Sequence, residues 1–570
     1  MVGDGDADLR GRDGLRARAQ HRGLSVVTER AEVVLGVDVG TTATKVVAVD
    51  VSGAVRAAAQ AAHALEEPHP GEAVQRPEAI LDAVLRSIAE VSRAVREQGL
   101  RVCGMGLSSA MHSLLAVDAS DRPLTPSITW ADDRAAVEAE RLRVTPEGRA
   151  LHRRTGTPIH PMSPLTKLLW FGEHQPEVMA AAHRWMGIKE LLVGELTGEW
   201  VVDHSIASGM GLFALDSLDW DAQALALAGI DAAHLPAPVP TTTVLRSLRP
   251  AMAARAGLDP ATPLVVGAGD GPLANLGVGA VRPGVAACSI GTSGAVRVAV
   301  ERPHVDEAGH LFCYALTDER WVSGGAINNG GVVLSWLAEA LAPDLGANAE
   351  TTLLSLAARA PAGSAGLIML PQLHGERAPR WSAWARGAYL GLTHAHRREH
   401  LVRAAVEGVC LQMAVVLDSV RAAGAEVREV RATGGFARSA FWRQLLTDAL
   451  GVEVQFPAGT EGSSRGAALL ALVALGLVDG LDAAGEGVGV EEVRRPDPAA
   501  SAVYAELRPM FESAGETLAP VFARLRGLDP GGPSAIRALT TPAPPPSPAA
   551  TSGSPASAPG RRRGGRGRSR

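Results

Sequence analysis

The chain has 570 residues, of which 46% are hydrophobic and 20% charged, and its formal net charge is −6. This length and composition allow a large core and two to four domains. The mildly acidic balance argues against a specific nucleic-acid partner. No apolar run approaches the roughly 18 residues that suggest a membrane-spanning helix. The Arg-rich N-terminus lacks the apolar segment of a secretory signal, so we expect a cytoplasmic protein with no membrane partner.

The two ends of the chain are predicted to be disordered. Residues 1–32 show no hydrophobic periodicity, and residues 528–570 are rich in proline, serine and alanine before an arginine-rich end. Such segments cannot bury enough apolar surface to offset the entropy lost on ordering. The globular body is therefore expected within residues 33–527, where β-like runs alternate with helical runs. That alternation is typical of an α/β fold.

The first strong local signal is a predicted β-hairpin at residues 33–50. Two β-rich runs flank a polar turn at residues 40–44, which offers backbone N–H groups and three hydroxyls. Successive N–H groups in a turn form an anion-binding nest, so this turn is a predicted phosphate cradle. Asp38 precedes the turn, and a carboxylate beside a phosphate indicates Mg²⁺ between them. The alternative is an ordinary hairpin in which Asp38 caps its own turn.

A second hairpin of the same kind is predicted in the other half of the chain. Apolar runs at residues 285–290 and 295–300 flank the turn Gly-Thr-Ser-Gly at residues 291–294. Because Gly-Thr turns are common, a chance repeat is the alternative. The matching flanks favour two similarly built halves that divide near Arg282, each presenting a phosphate loop to a shared cleft.

Farther along, the sequence predicts a buried helix and a glycine-rich turn. Apolar residues at helical spacing indicate a helix over residues 395–423. A strand then leads into Gly434 and Gly435, and Ser439 is placed to cap the next helix. A glycine pair permits the close approach of a flat ligand such as adenine.

Seven segments occur in the order typical of one enzyme family. They are GVDVGTT at 36–42, WADDR at 130–134, GAGDG at 267–271, GTSG at 291–294, GERAP at 375–379, RAAVEG at 403–408 and TGGFARSAFW at 433–442. Together they resemble the FGGY carbohydrate kinases of the actin, sugar-kinase and Hsp70 superfamily. Within that family, the segments at 108–118, 127–134 and 155–164 resemble the gluconate kinases.

The resemblance implies an α/β fold of two actin-like, ribonuclease H-like domains with a nucleotide cleft between them. The first, residues 33–281, would carry the sugar site, the first phosphate loop and the catalytic carboxylate. The second, residues 282–527, would carry the second phosphate loop and the adenosine site. The implied ligands are ATP, Mg²⁺ and a small sugar acid, and a homodimer is one assembly that we expect.

The catalytic base implied by the resemblance is Asp270, which would accept the proton of the attacking hydroxyl. The residues themselves agree, because a buried strand at residues 264–269 delivers this carboxylate to a loop. The alternative role for Asp270 is a cap on the segment that follows.

The resemblance also implies contacts to both substrates. The positions matched to the nucleotide are Gly40, Thr41, Thr42, Lys45, Gly291, Thr292, Gly331, Gly434, Gly435 and Ser439, with Asp38 as the Mg²⁺ partner. The positions matched to the sugar are Met111, His112, Asp132, Arg134 and Asp270. A sugar acid also needs a cation for its carboxylate, and Arg134, Lys167, Arg377 and His112 all stay open for that role. Each arginine could instead brace the cleft wall in a salt bridge.

The expected reaction is therefore ATP-dependent phosphorylation of D-gluconate at the C6 hydroxyl, giving 6-phospho-D-gluconate. One alternative is a kinase of the same family that acts on another polyol or a ketose such as xylulose. An alternative of another class is an actin- or Hsp70-like ATPase that switches the binding of a protein partner.

Overall fold

The computed structural model describes residues 32–457, 459, 462–526 and 528. The two ends predicted to be disordered lie outside this part of the chain, apart from Glu32 and Leu528. Within it, two large mixed sheets and their flanking helices form the body, which confirms the predicted α/β class.

The first half of the chain builds a six-stranded sheet in the order β13-β14-β5-β1-β2-β3. The strands of this half of the chain, including those outside the large sheet, are β1 (Glu32–Val39), β2 (Ala43–Asp50), β3 (Val55–Ala62), β4 (Val74–Gln75), β5 (Arg101–Ser109), β6 (Leu115–Val117), β7 (Ser127–Ile128), β8 (Arg184–Met186), β9 (Val201–Asp203), β10 (Phe213–Ala214), β11 (Asp219–Trp220), β12 (Ala237–Val239), β13 (Val244–Leu245) and β14 (Leu264–Gly269). Its helices are α1 (Pro77–Glu97), α2 (Ala136–Arg143), α3 (Pro146–Thr155), α4 (Pro164–His174), α5 (Pro176–Ala181), α6 (Ile188–Thr197), α7 (His204–Ser208), α8 (Ala222–Ala228), α9 (Pro250–Ala256) and α10 (Asp270–Gly277).

The second half builds a seven-stranded sheet in the order β17-β18-β16-β15-β21-β22-β23. The strands of this half of the chain, including the separate pair β19 and β20, are β15 (Gly284–Ile290), β16 (Gly294–Val300), β17 (Phe312–Thr317), β18 (Arg320–Ile327), β19 (Ile368–Leu370), β20 (Ala388–Leu390), β21 (Val427–Thr433), β22 (Val454–Pro457) and β23 (Val490–Arg494). Its helices are α11 (Val332–Leu341), α12 (Ala349–Ala357), α13 (Arg398–Ala422), α14 (Ala440–Leu450), α15 (Gly462–Ala474), α16 (Gly480–Glu486) and α17 (Pro498–Arg526).

The two sheets share one local design. Strands β1 and β2 form the first predicted hairpin, and β1 also pairs in parallel with β5. Strands β15 and β16 form the second predicted hairpin, and β15 pairs in parallel with β21. Both hairpin predictions are confirmed, and each turn lies where its first strand leaves the sheet.

Helix α15 belongs to the second half of the sequence but packs against the first sheet. A Cβ on Gly36 of β1 would lie 1.9 Å from Ser464 O, and one on Gly106 of β5 would lie 2.4 Å from Ala467 O. Glycine is needed at these positions because the helix backbone occupies the space of a side chain. Residues on both sides of the predicted division near residue 282 therefore share one hydrophobic cluster.

Helix α13 is the long buried helix predicted at residues 395–423. It begins at Arg398, since Thr393 and His396 form a hydrogen-bonded turn just before it. By length and composition alone this helix could cross a membrane, but 89% of its most apolar window is buried inside the protein. Its apolar side chains belong to the largest hydrophobic cluster of the described residues.

Candidate active site

A cavity of about 270 Å³ lies between the turns of the two hairpins. Its walls come from both halves of the chain, so a molecule bound there would contact both domains. The lining residues are Thr41, Met111, His112, Trp130, Met162, Asp270, Gly271, Ser289, Gly291, Ser293, Gly294, Arg297, Phe312, Tyr314, Ala326 and Arg377.

Asp270 stands in this cavity at the junction of β14 and α10. Strand β14 is buried throughout, as the sequence predicts, and Asp270 is the first residue of the helix that follows. The N–H of Gly271 donates to Asp270 Oδ1 at 2.8 Å. Desolvation raises the pKa of this carboxyl, and the nearby Arg297 opposes that rise. A carboxylate with a raised pKa, open to a cavity, is suited to accept a proton.

The backbone that carries Asp270 is held by a buried polar network that sequence reasoning missed. The ammonium of Lys189 donates to Asp203 Oδ2 at 2.8 Å and to Ala268 O at 3.0 Å. The hydroxyl of Ser205 accepts from the N–H of Gly269 at 3.1 Å. These bonds fix the two residues before Asp270. The available signal was a weak one, the charged pair Lys189 and Glu190 at the start of α6, because a buried cation needs a partner.

Met111 and His112 form a tight turn after β5 and face the cavity. His112 has a φ of +67°, and its Nδ1 lies 2.7 Å from Gly209 O. A carbonyl only accepts, so Nδ1 carries the proton and Nε2 is an acceptor, which lies 3.5 Å from the hydroxyl of Tyr314. Burial lowers the pKa of His112 to about 3. The imidazole is therefore neutral, which removes His112 as a cation for a carboxylate.

Lys167 is fully buried, and it binds the backbone behind the cavity wall without lining the cavity. Its ammonium donates to the carbonyls of His112, Thr129 and Met162 at 2.7, 2.8 and 2.8 Å. Burial lowers the pKa of Lys167 to about 7. All three donors of the ammonium are used, so Lys167 ties three loops together and offers nothing to a substrate carboxylate.

Asp132 and Arg134 form a brace behind the cavity and do not line it. Arg134 donates to both oxygens of Asp132 at 2.8 Å, and its guanidinium lies 5.1 Å from the ring of Trp170. Asp132 also accepts from the N–H of Ala73 at 2.8 Å. The salt-bridge alternative considered for the arginines therefore describes Arg134, and both side chains support the segment that carries Trp130.

Two guanidinium groups do line the cavity, from Arg377 and Arg297. Arg377 lies 4.8 Å over the ring of Trp130 and donates to Ile327 O at 3.0 Å. Among the described residues its Nε has no hydrogen-bond partner. Arg297 makes a long contact of 3.4 Å to the hydroxyl of Ser289. Sequence reasoning missed Arg297, although a charge inside the apolar strand β16 was an available signal.

The turns of the hairpins present donors toward the cleft. The N–H groups of Gly40 and Gly291 are used inside their own turns, in bonds to Ala43 O and Ser293 O. In the described part of the chain, the N–H groups of Thr41, Thr42 and Thr292 have no acceptor. The N–H groups that remain available to a phosphate are therefore those of the threonines. The N–H of Gly331 closes the second turn by donating to Gly291 O at 2.6 Å.

The glycine pair after β21 lies beside the second hairpin. Gly434 has a φ of +119°, and a Cβ there would lie 2.2 Å from Ile290 O. Gly435 is exposed, with open space around the position of a Cβ. Ser439 caps α14 and accepts from the N–H of Trp442 at 3.3 Å, as the sequence predicts. Gly434 therefore packs against the residue before the second turn, and none of these three nucleotide-matched positions lines the cavity.

Asp38 lies near the end of β1, directly before the first turn. It pairs with Lys45 across the hairpin, and its Oδ1 accepts from the hydroxyl of Ser108 at 2.7 Å. Carboxylate oxygens are the ligands that Mg²⁺ prefers, often through water. The residues present therefore fit a magnesium ion held beside the phosphates.

The cavity lies between two phosphate-type turns and has a carboxylate in its wall. This arrangement is typical of a phosphotransferase whose site lies between two domains. The family models for the N-terminal and C-terminal domains of the FGGY family of carbohydrate kinases match residues 33–277 and 286–475. The chain belongs to the FGGY family of carbohydrate kinases, which phosphorylate an alcohol group of their substrate with ATP.

Individual relatives resemble the chain over most of its length. The gluconokinase of Bacillus subtilis (strain 168) is 41% identical, and the match covers 87% of this chain and 98% of the relative. The xylulose kinase of Escherichia coli (strain K12) is 31% identical over 86% of this chain and 100% of the relative. The crystal structure of gluconate kinase from Lactobacillus acidophilus superposes with a TM-score of 0.82 at 34% identity, covering 87% of this chain and 100% of that one.

Proposed function

We propose that this protein transfers the γ-phosphoryl group of ATP to the C6 hydroxyl of D-gluconate. The observation that carries the proposal is the charge of the cavity, in which one carboxylate, Asp270, faces Arg297 and Arg377. An enclosed site with a surplus cation suits a sugar acid better than a neutral sugar. The higher identity to a gluconokinase than to a xylulose kinase supports the same choice.

In this proposal Asp270 is the general base. It takes the proton of the C6 hydroxyl while that oxygen attacks the γ-phosphorus and the bond from phosphorus to the ADP oxygen breaks. The products are 6-phospho-D-gluconate and ADP, and the proton stays on Asp270 until water removes it. A positioned base typically contributes about 10²- to 10⁴-fold to the rate. The network that anchors Ala268 and Gly269 supplies that positioning.

The nucleotide would lie in the cleft between the two hairpins. Its phosphates would contact Thr41, Thr42 and Lys45 on one side and Thr292 on the other. The remaining matched positions would contact the adenosine and the second turn, namely Gly331, Gly434, Gly435 and Ser439. Bound at Asp38, Mg²⁺ would neutralise phosphate charge during transfer.

A second candidate function is phosphorylation of a neutral ketose such as xylulose. The observation in its favour is the xylulose kinase that matches 86% of this chain. Membership of a carbohydrate kinase family disfavours the third alternative, an ATPase that acts on a protein partner.

The test is ADP release with ATP and Mg²⁺ on D-gluconate, D-xylulose, L-ribulose, glycerol and no sugar. We expect kcat/KM on gluconate to exceed the others by at least about tenfold, a difference of about 1.4 kcal/mol. A higher value on xylulose would replace the gluconate proposal with the second candidate function. Mass spectrometry of the product, with fragmentation that locates the phosphate, tests the C6 position. Fractionation and light scattering test the expected cytoplasmic location and homodimer.

A further inference from the structure

We infer that Arg297 forms the carboxylate subsite of the sugar cavity, with Arg377 as its second cation, and that Arg297 makes the enzyme selective for an acid. This inference rests on the proposed function and names a residue that determines its specificity.

The charged and titratable residues that line the cavity do not balance. They are His112, Asp270, Arg297, Tyr314 and Arg377. His112 is neutral, because burial and the neighbouring cations hold its pKa far below its ordinary value. Burial raises the pKa of Tyr314, which is therefore also neutral. Two guanidinium groups then face one carboxylate, which leaves one positive charge for a monoanionic substrate to neutralise.

The two guanidinium groups also repel each other. Burial lowers the pKa of Arg377 and the charge of Arg297 lowers it further, while the carboxylate of Asp270 opposes part of that fall. Like charges in an enclosed site destabilise the protein unless an anion lies between them. A carboxylate between Arg297 and Arg377 would remove that repulsion, and a neutral sugar would leave it in place.

Arg297 has more capacity for a substrate than Arg377. Within the described residues, no carboxylate oxygen lies within salt-bridge distance of Arg297. In that part of the chain, the one hydrogen bond that its guanidinium makes is the long bond to Ser289. Arg377, in contrast, is stacked on Trp130 and bonded to Ile327 O.

Arg297 lies beside Asp270 in the wall of the cavity. A Cβ on Gly271 would lie 3.2 Å from Arg297 Nε, so the guanidinium packs against the backbone directly after Asp270. A sugar acid with its terminal hydroxyl at Asp270 would bring its carboxylate to Arg297 and Arg377 if its chain folds within this cavity of about 270 Å³.

The test compares D-gluconate with D-gluconamide, a neutral analogue of the same length. The variants are Arg297→Met, Arg297→Lys and the control Arg320→Met, whose guanidinium lies outside the cavity and bonds Val281 O. We expect Arg297→Met to lower kcat/KM on gluconate by roughly 10- to 100-fold, the effect of one charge-assisted hydrogen bond. The value on gluconamide should change less than about threefold, the lysine variant should recover part of the loss, and Arg320→Met should leave both values unchanged.

Equal losses on both substrates would overturn the inference, because they would mean that Arg297 serves the phosphoryl group or the fold. Calorimetric binding of gluconate and gluconamide without ATP tests the subsite apart from catalysis. The wild-type protein should bind the acid more tightly, and Arg297→Met should lose that preference. A wild-type enzyme that does not phosphorylate gluconate would overturn the proposed function. An active wild type whose preference survives in Arg297→Met would overturn this inference alone. Thermal unfolding confirms that each variant is folded.

Discussion

The indole Nε1–H of Trp130 donates to the hydroxyl of Thr41 at 2.8 Å. The ring of Trp130 also lies under the guanidinium of Arg377. One side chain thus contacts both the first phosphate-type turn and a cation of the sugar cavity. The amide of Gln75 holds the same turn by donating to Thr41 O at 2.6 Å. Occupation of the cavity can therefore influence the orientation of Thr41 through Trp130.

The substitution Trp130→Phe tests that connection. Phenylalanine keeps a ring beneath Arg377 but lacks the N–H that orients Thr41. We expect KM for ATP to rise by about three- to tenfold, the effect of one neutral hydrogen bond, with a smaller change in KM for gluconate. Trp130→Leu removes the ring as well and should raise both KM values. Steady-state kinetics with each substrate varied in turn measures these effects. A rise in KM for gluconate alone in Trp130→Phe would contradict the connection.

The substitution Asp270→Asn should lower kcat by about 10²-fold or more with little change in ATP affinity, because amide nitrogen and oxygen cannot accept the proton. The pH profile gives a second readout. The pKa of Asp270 is raised, so the carboxyl is protonated and inactive at a pH where an ordinary aspartate is ionised. Activity should therefore fall with decreasing pH at a higher pH than an exposed aspartate would give. Near-normal turnover in the variant would refute the assignment of the base.

The adjacent glycines 434 and 435 form a matched pair for testing the second turn. Gly434→Ala forces a Cβ against Ile290 O at an unfavourable φ and should displace the strand end that carries Gly291. We expect stability to fall by about 1–3 kcal/mol and KM for ATP to rise. Gly435→Ala meets open space and should change stability by less than about 1 kcal/mol. Calorimetric melting and ATP titration measure both variants. Equal effects would mean that the close approach at Gly434 has no special role.

Lys167→Met should destabilise the protein and loosen the sugar site. The substitution leaves the carbonyls of His112 and Met162 without the Lys167 donor, whereas Thr129 O keeps the N–H of Asp132 at 3.3 Å. A buried polar group without a partner costs about 1–3 kcal/mol, so we expect a loss of about 2 kcal/mol or more in the free energy of unfolding. KM for gluconate should rise more than KM for ATP, since the anchored loops carry His112 and Met162 into the cavity. Unchanged denaturant unfolding would show that the three bonds contribute no net stability.

Local pattern was sufficient for several parts of the fold. The two hairpins, the buried strand β14 and the cap at Ser439 were predicted correctly, because each depends on residues that are neighbours in sequence. Turn residues fix backbone direction, and apolar spacing fixes which face is buried. The family resemblance added the order of the motifs along the chain.

The partners of the charged side chains could not be predicted in the same way. Arg134, Lys167, Arg377 and His112 were equal choices for a carboxylate. Of these, Arg377 and the neutral His112 line the cavity. Lys167 is committed to three carbonyls and Arg134 to Asp132. Those contacts join segments that are distant in sequence, and a lysine or arginine carries no local sign of the partner that its long side chain reaches.

The sequence by itself determined that two Gly-Thr hairpins and a buried strand leading to Asp270 form, because turns and buried strands are specified over a few residues. Only the tertiary structure decided that Arg297 faces the same cavity as Asp270 and that α15 packs on the first sheet. These relationships depend on how the two halves of the chain pack together. Hydrophobic burial drives that packing and is non-directional. It therefore leaves no periodic signal in the sequence of which cation will face which acid.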